Sequence, residues 1–267
     1  MRVEPVPPGA HVRLRPKDAD STGGFKGGKG AALKETERLR GRLAELQERL
    51  FADHRHRILL VLQGMDTAGK DGTIRRVFEG VNPQGVRVAS FRTPSADELE
   101  HDFLWRVHAR LPARGEIVIF NRSHYEDVLI VRVHGLVPRT VWSKRFAEIN
   151  EFERTIVQEG TTMIKVFLHI DRTEQLRRLR ERLHDPTKHW KFSLSDVEES
   201  QLWAQYRRAY EEAIDRTSTP WAPWHVVPAN HRWYRDLEVT RLLVDALERL
   251  RLEYPGLPPG LRRLKVT

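Results

Sequence analysis

Between positions 64 and 73 the chain reads Gly-Met-Asp-Thr-Ala-Gly-Lys-Asp-Gly-Thr. Two glycines five apart, the second followed by lysine, are what a backbone loop needs to wrap a phosphate group. Glycine freedom lets the N–H groups around Gly64, Ala68, Gly69 and Gly72 turn toward one point. A helix starting there adds the partial positive charge of its N-terminus. Lys70 supplies a point charge between adjacent phosphates. Loops of this kind ordinarily carry Ser or Thr after the lysine as a Mg²⁺ ligand. Here that place holds Asp71, and Asp66 adds a second carboxylate. Carboxylates beside a phosphate cradle repel it unless a cation intervenes, so the loop points to Mg²⁺ held by Asp66. For Asp71 two readings stand: a group near that metal, or a first-turn acid favoured by the helix dipole.

A second cluster, Asn121-Arg122-Ser123-His124-Tyr125-Glu126-Asp127, follows an apolar run at 116–120. Asn121 stands where nucleotide-binding folds commonly place an aspartate near the metal, and it offers a carbonyl oxygen instead. Arg122 has the donor fork that suits phosphate, the alternative being a surface ion pair. Glu126 and Asp127 read as metal or acceptor contacts, or else as acids at a helix start.

The third cluster spans 174–192. Leu176, Leu179 and Leu183 form a stripe expected to face the core, and Arg178 and Arg182 share another face. Asp185-Pro186 then breaks the helix before Lys188, His189 and Lys191. The expectation is a lid that closes over phosphates, set against the plainer reading of a solvated basic helix. Arg75, Arg76, Lys144, Arg207 and Arg208 are further basic candidates, and the 12 histidines show no metal-ligating spacing.

To serve one site, these clusters need loop ends that converge. Apolar runs at 58–62, 86–91, 116–120, 163–170 and 224–227 read as buried strands. Helical patterns lie between and around them, at about 31–52, 72–80, 96–110, 140–158, 196–216 and 235–252. Strands alternating with helices predict an α/β fold: a five-stranded parallel sheet with helices on both faces. Active residues of such sheets gather at the carboxyl ends of the strands, which is where the first two clusters fall. The expected organisation is an N-terminal arm and glycine-rich loop at 1–30, one domain at 31–252 containing a lid at about 173–192, and a tail at 253–267.

The 267 residues carry 46 Lys and Arg against 37 Asp and Glu, a formal net charge of +9. The surplus favours a polyanionic partner, although ordinary enzymes from arginine-rich proteomes also run basic. With no cysteine in the chain, disulfide scaffolds, thiolate metal sites and a cysteine nucleophile are excluded. The first residues lack the apolar core of a signal peptide, and no run is long enough to span a bilayer, so the expectation is a cytoplasmic protein without a membrane partner.

The three clusters together, with Val227-Pro228-Ala229-Asn230 after the last strand, resemble the second family of polyphosphate kinases, the polyphosphate:nucleotide phosphotransferases. The resemblance runs from about Gly23 to Leu250. It implies a three-layer P-loop kinase fold related to thymidylate kinase, with a helical lid. It further implies Mg²⁺, inorganic polyphosphate as donor and a nucleoside phosphate as acceptor, with no nucleic-acid partner. By motif position Asp66 and Asn121 fall in the metal and catalytic group, and Lys70, Arg122 and Arg178 contact the phosphates exchanged. Gly64, Ala68, Gly69, Asp71, Gly72, Arg75, Arg182, Lys188, Lys191 and Arg208 are the remaining expected phosphate contacts.

Many members of that family have Asp-Arg-Ser and then Tyr-Asn, where this chain has Asn121-Arg122-Ser123 and Tyr125-Glu126. The form seen here resembles the family's third class, which accepts nucleoside mono- and diphosphates. Glu126 and Asp127 are then acceptor contacts, Glu126 being also a candidate metal group. The family suggests a homodimer or homotetramer. Two other functions compete: an ATP-dependent nucleotide kinase of the same fold, which calls for Ser or Thr at position 71, and a non-catalytic polyanion-binding protein.

Overall fold

A strand made of Ile58, Leu59, Leu60, Val61 and Leu62 presents no polar face to water and must be covered on both sides. In the structure, a computed structural model that describes residues 2–257 apart from the Lys191 side chain, all five are fully buried. They belong to β1 (Arg57–Gly64), the middle strand of a five-stranded sheet. The others are β2 (Val86–Ser90), β3 (Ile117–Asn121), β4 (Thr161–His169) and β5 (Trp224–Pro228). Their order is β2-β3-β1-β4-β5, and every pairing is parallel.

The N-terminal helix Gly28–Asp53 buries Leu39, Leu43, Leu46 and Leu50 and packs along the last helix, Arg232–Arg249. Each of those leucines contributes about 1.5–3 kcal/mol through burial. Helices Arg139–Gln158 and Trp203–Thr217 pack together, the former against β4. Among the described residues no helix is long and apolar enough to cross a membrane.

The register positions the site. Leu62 pairs with Asn121 and Gly64 with Leu168, so the loop after β1 emerges beside the end of β3 and level with the end of β4. Strand order reverses sense at β1, and ligands of open parallel sheets bind at such a point.

Several expected boundaries shift. The helix expected at 96–110 is two single turns, Ala96–Leu99 and Trp105–His108. Between them the Asp102 carboxylate accepts the Leu104 N–H and holds the chain in a turn. The helix expected at 196–216 is two, Leu194–Gln201 and Trp203–Thr217, and near the break the Ser200 hydroxyl competes for the Val197 carbonyl. The long first helix begins at Gly28, so the arm ends before position 30. That arm is tied down: Pro5 bridges to His225, and the N–H groups of Val12 and Leu14 donate to Asp215 and Glu211. Leu183 is exposed where its stripe was expected to face the core, because the lid helix runs out past the sheet. Of the tail, residues 258–267 lie outside the described residues.

Candidate active site

The loop from Gly64 to Gly69 joins β1 to the helix Lys70–Val77. A Cβ on Gly64 would lie 2.8 Å from the Leu168 carbonyl oxygen, and one on Gly69 (φ 100°) 2.1 Å from an Arg235 guanidinium nitrogen, so no other residue fits either place. The loop's carbonyls are engaged from behind. Arg178 donates to those of Thr67 and Ala68, both at 3.0 Å, and Arg235 to that of Ala68 at 3.4 Å. Gln175 donates to the Asp66 carbonyl at 3.3 Å, while the Tyr210 hydroxyl and Lys70 Nζ donate to that of Gly64. The Ala68 N–H donates to the Met65 carbonyl at 3.1 Å, and Gly69, Lys70, Asp71 and Gly72 line the cleft at the start of the helix, as an anion nest requires.

The cleft lies above this loop and has a volume of about 1660 Å³. Its walls carry Asp66, Gly69, Lys70, Asp71, Gly72, Arg75, Asn121, Arg122, Arg182 and Lys188, gathered from the ends of β1 and β3 and from the segment at 172–191. Lys70 is half-buried, and burial together with the nearby Arg122 charge holds its ammonium down to about 8 against the pull of Asp66, Glu126 and Asp71. Arg182 Nη1 lies 3.5 Å from Asp66 Oδ2 and 3.7 Å from Asp196 Oδ2. Burial and the Asp66 charge push the Asp196 carboxyl up. Asn121 donates from its amide to Asp71 Oδ1 at 2.7 Å, which fixes the amide and leaves its carbonyl oxygen as acceptor.

A metal fits these groups. Asp66 Oδ2 is buried and makes no hydrogen bond, its nearest cation being the Arg182 guanidinium at 3.5 Å, so it retains lone pairs for a metal ion. No three acidic or histidine groups converge among the described residues, and Mg²⁺ is commonly held by one or two carboxylates plus substrate phosphates.

Arg122 and Thr67 both sit at φ 62°, a left-handed conformation that costs a non-glycine residue about 1–3 kcal/mol. Both border the cleft. Arg122 is tied to β1 by its own N–H, which donates to the Leu62 carbonyl. Glu126 lies behind it and accepts from the buried Gln63 amide at 3.1 Å.

Three sequence expectations change on the structure. Arg178, expected to touch phosphate, lines the cleft, but its guanidinium is buried and engaged by Glu174 and by the carbonyls of Thr67, Ala68, Ala229 and Asn230. Burial holds it down to about 10, still charged at neutral pH, so it braces the loop. Asp127 was expected to face the acceptor but is buried against Arg145 and Arg106, with burial raising its carboxyl to about 6. Arg208 is exposed on the helix Trp203–Thr217 and lies in a separate groove near Gly9 and Asp215. The segment expected to be a lid at 173–192 comprises the helix Arg172–His184 and the 3-10 turn Pro186–Lys191, and the helix Leu194–Gln201 packs against it. The Lys191 side chain lies outside what is described.

Sequence reasoning missed Asp196, Arg235, Gln175 and Gln63. Three of them sit on helices where a polar residue reads as solvated. Gln63 alone left a signal, as the one polar residue in an apolar strand.

A phosphate nest at the switch point of a parallel sheet, faced by a basic lid, defines a P-loop phosphotransferase. The family model of polyphosphate kinase 2 matches residues 28–254. An AMP/ADP-polyphosphate phosphotransferase of Meiothermus ruber is 55% identical over 96% of each chain. An ADP-polyphosphate phosphotransferase of Rhodopseudomonas palustris is 45% identical over 83% of this chain and 81% of its own. The crystal structure of polyphosphate kinase 2 from Arthrobacter aurescens superposes with a TM-score of 0.90 at 43% identity, covering 99% of this chain and 96% of that one. The chain belongs to the polyphosphate kinase 2 family and is a phosphotransferase.

Proposed function

We infer that the protein transfers the terminal phosphoryl group of inorganic polyphosphate to nucleoside mono- and diphosphates, AMP to ADP and ADP to ATP, reversibly and with Mg²⁺. The observation that carries this reading is the meeting of Lys70, Asp66 and the lid's Arg182 in one cleft whose walls also carry Lys29, Arg75 and Arg76. That basic wall suits a long donor bearing about one charge per phosphate. The relative from Meiothermus ruber is named for both AMP and ADP, which supports both acceptors here.

Asp66 and the carbonyl oxygen of Asn121 are the groups that would hold Mg²⁺, which when bound offsets phosphate charge. The chain's residues do the rest. Lys70 and the loop amides seat the donor's terminal phosphates beside Lys29, Arg75 and Arg76. The acceptor enters from the side of Asn121, Arg122 and Arg92. An acceptor phosphate oxygen attacks the terminal phosphorus, the bridging P–O bond breaks, and the shortened chain leaves with the bonding electron pair. That oxygen is already ionised at neutral pH, so no strong base is needed. Arg122 and Arg182 spread the charge developing on the transferred group, and lid closure excludes water. Assembly as a homodimer or homotetramer and a cytoplasmic location are carried with this reading, the former checked by light scattering.

The test is ATP formation from ADP, and separately from AMP, with long-chain polyphosphate and Mg²⁺, the AMP assay run with an adenylate kinase inhibitor. Product from both acceptors is expected. Product from ADP alone would remove the monophosphate half. Product only with ATP as donor would replace the reading by an ordinary nucleotide kinase.

A further inference from the structure

Lys165 and Glu153 form an ion pair with no exposure to solvent, on β4 and the helix Arg139–Gln158, and neither lines the cleft. Charges so placed contribute little net stability, since their desolvation offsets their attraction. What they touch gives the reason for them. Lys165 Nζ donates to Glu153 Oε2 and to the Thr217 carbonyl, both at 2.6 Å, and to the Tyr125 hydroxyl at 2.9 Å. That hydroxyl donates to Glu153 Oε1 at 2.7 Å, and His124 Nε2 lies 3.2 Å from the same oxygen. Burial works against both charges and lowers the Lys165 ammonium, while Lys165 and the hydrogen bond from His124 hold the Glu153 carboxyl below its usual range.

His124 and Tyr125 open the 3-10 turn His124–Val128, which starts two residues after the strained Arg122 and carries Glu126. No strand ladder fixes such a turn, so side chains must. On one side Gln63 holds Ser123 and Glu126; on the other the buried pair holds His124 and Tyr125.

We propose that Lys165 and Glu153 are positioning residues for phosphoryl transfer, clamping the turn at 123–128 so that Arg122 and Glu126 keep the placement the acceptor requires. The proposal rests on the function inferred above; turnover by the wild type tests that function, and the variants measured beside it test this clamp.

Tyr125→Phe cuts the link while leaving the ion pair and the ring packing in place. Its kcat with AMP is expected to fall about tenfold, the order that small misplacement of reacting groups produces. The KM for polyphosphate should stay within about twofold, because the loop at 64–72 is untouched. Independently of activity, hydrogen exchange should quicken in peptides covering 121–129 and stay unchanged across 70–77. The Lys165→Met/Glu153→Leu double variant, which replaces the charges by apolar groups of similar volume, should give the same pattern with a cooperative melt. Should it fail to fold, Tyr125→Phe decides alone. Folded variants with wild-type kcat, acceptor ratio and exchange at 121–129 would overturn the proposal, leaving the pair a packing feature.

Discussion

The loop at 64–72 and the lid at 172–201 both present cations to the same cleft, yet they are held in opposite ways. The loop's carbonyls are engaged by Arg178, Arg235, Gln175, Tyr210 and Lys70, and the strand before it is wholly buried. Past Arg178 the lid bonds chiefly to itself: Lys188 and Thr187 to Asp185, Trp190 to the Thr187 carbonyl, His189 to that of Leu183. Its tip meets the loop through Arg182 and Asp66 at 3.5 Å, and Trp190 and Leu194 stand about four-fifths exposed. A preorganised nest binds charge without rearranging, whereas a self-contained lid moves as a unit and releases product. On the function proposed above, donor seating falls to the loop and gating to the segment at 172–201.

The sharpest way to break this division is to remove a charge from each part. Lys70→Ala should lower kcat by about 10²–10³ without lowering the melting temperature, the scale seen when one preorganised charge-stabilising donor is lost. A steady-state ATP assay beside a thermal melt decides it, and near-normal turnover would remove Lys70 from the donor seat.

Arg178 and Arg182 then separate brace from gate. Arg178→Met leaves the carbonyls of Thr67, Ala229 and Asn230 without their side-chain donor and Glu174 with Arg177 alone, and breaking a buried ion pair in this way costs about 3 kcal/mol. Arg182→Ala should lower kcat without moving the melt, since Arg182 is only partly buried. A calorimetric comparison of the two settles the point; equal melting temperatures would show that Arg178 is no brace.

The loop also carries a pH dependence through Lys70. Free-enzyme Lys70 is charged below about pH 8 and neutral above it, and phosphate favours the charged form. The KM for polyphosphate should therefore be flat below pH 8 and rise by up to about tenfold per unit above it. Lys70→Arg should abolish that rise, because a guanidinium stays charged. Stability moves the other way: from pH 8 to 10.5 the unfolded chain keeps a proton that the folded one has lost, so Lys70 destabilises progressively less as pH rises. A flat KM profile in the wild type would show that Lys70 keeps its proton throughout.

Legibility in the sequence follows the same division. The parallel sheet was readable because 58–62 and 116–120 are apolar without alternation, and the loop because its glycines, Lys70 and Asp66 are consecutive. Local pattern failed where roles depend on distant contacts. Arg178 and Arg182 differ by one helical turn and are chemically identical, yet one lies beneath Thr67 and Ala68 and the other faces Asp66. Asp127 follows Glu126 directly but points to Arg145, because a 3-10 turn sends neighbouring side chains to different sides. Asp196 left no signal, since a first-turn acid after Ser193 reads as a cap, which it also is.

The smallest effect tests the acceptor side of the comparison. Glu126 shares the Gln63 amide with the Ser123 hydroxyl and lies near Arg122 and Lys70, so its charge sets the field in which an acceptor phosphate sits. Asparagine at this position is one methylene shorter, keeps a hydrogen-bonding carbonyl and removes the charge. Without that carboxylate, Arg122 has one more unit of positive charge to offer a phosphate. A diphosphate, the more highly charged acceptor, should gain most. Glu126→Asn should therefore shift the ratio of kcat/KM for AMP over ADP toward ADP, by about three- to tenfold if the charge acts at an effective dielectric near 20. The loop is unaffected in this variant, so the KM for polyphosphate should not change. An unchanged acceptor ratio would mean that Glu126 supports the turn through Gln63 and takes no part in choosing the acceptor.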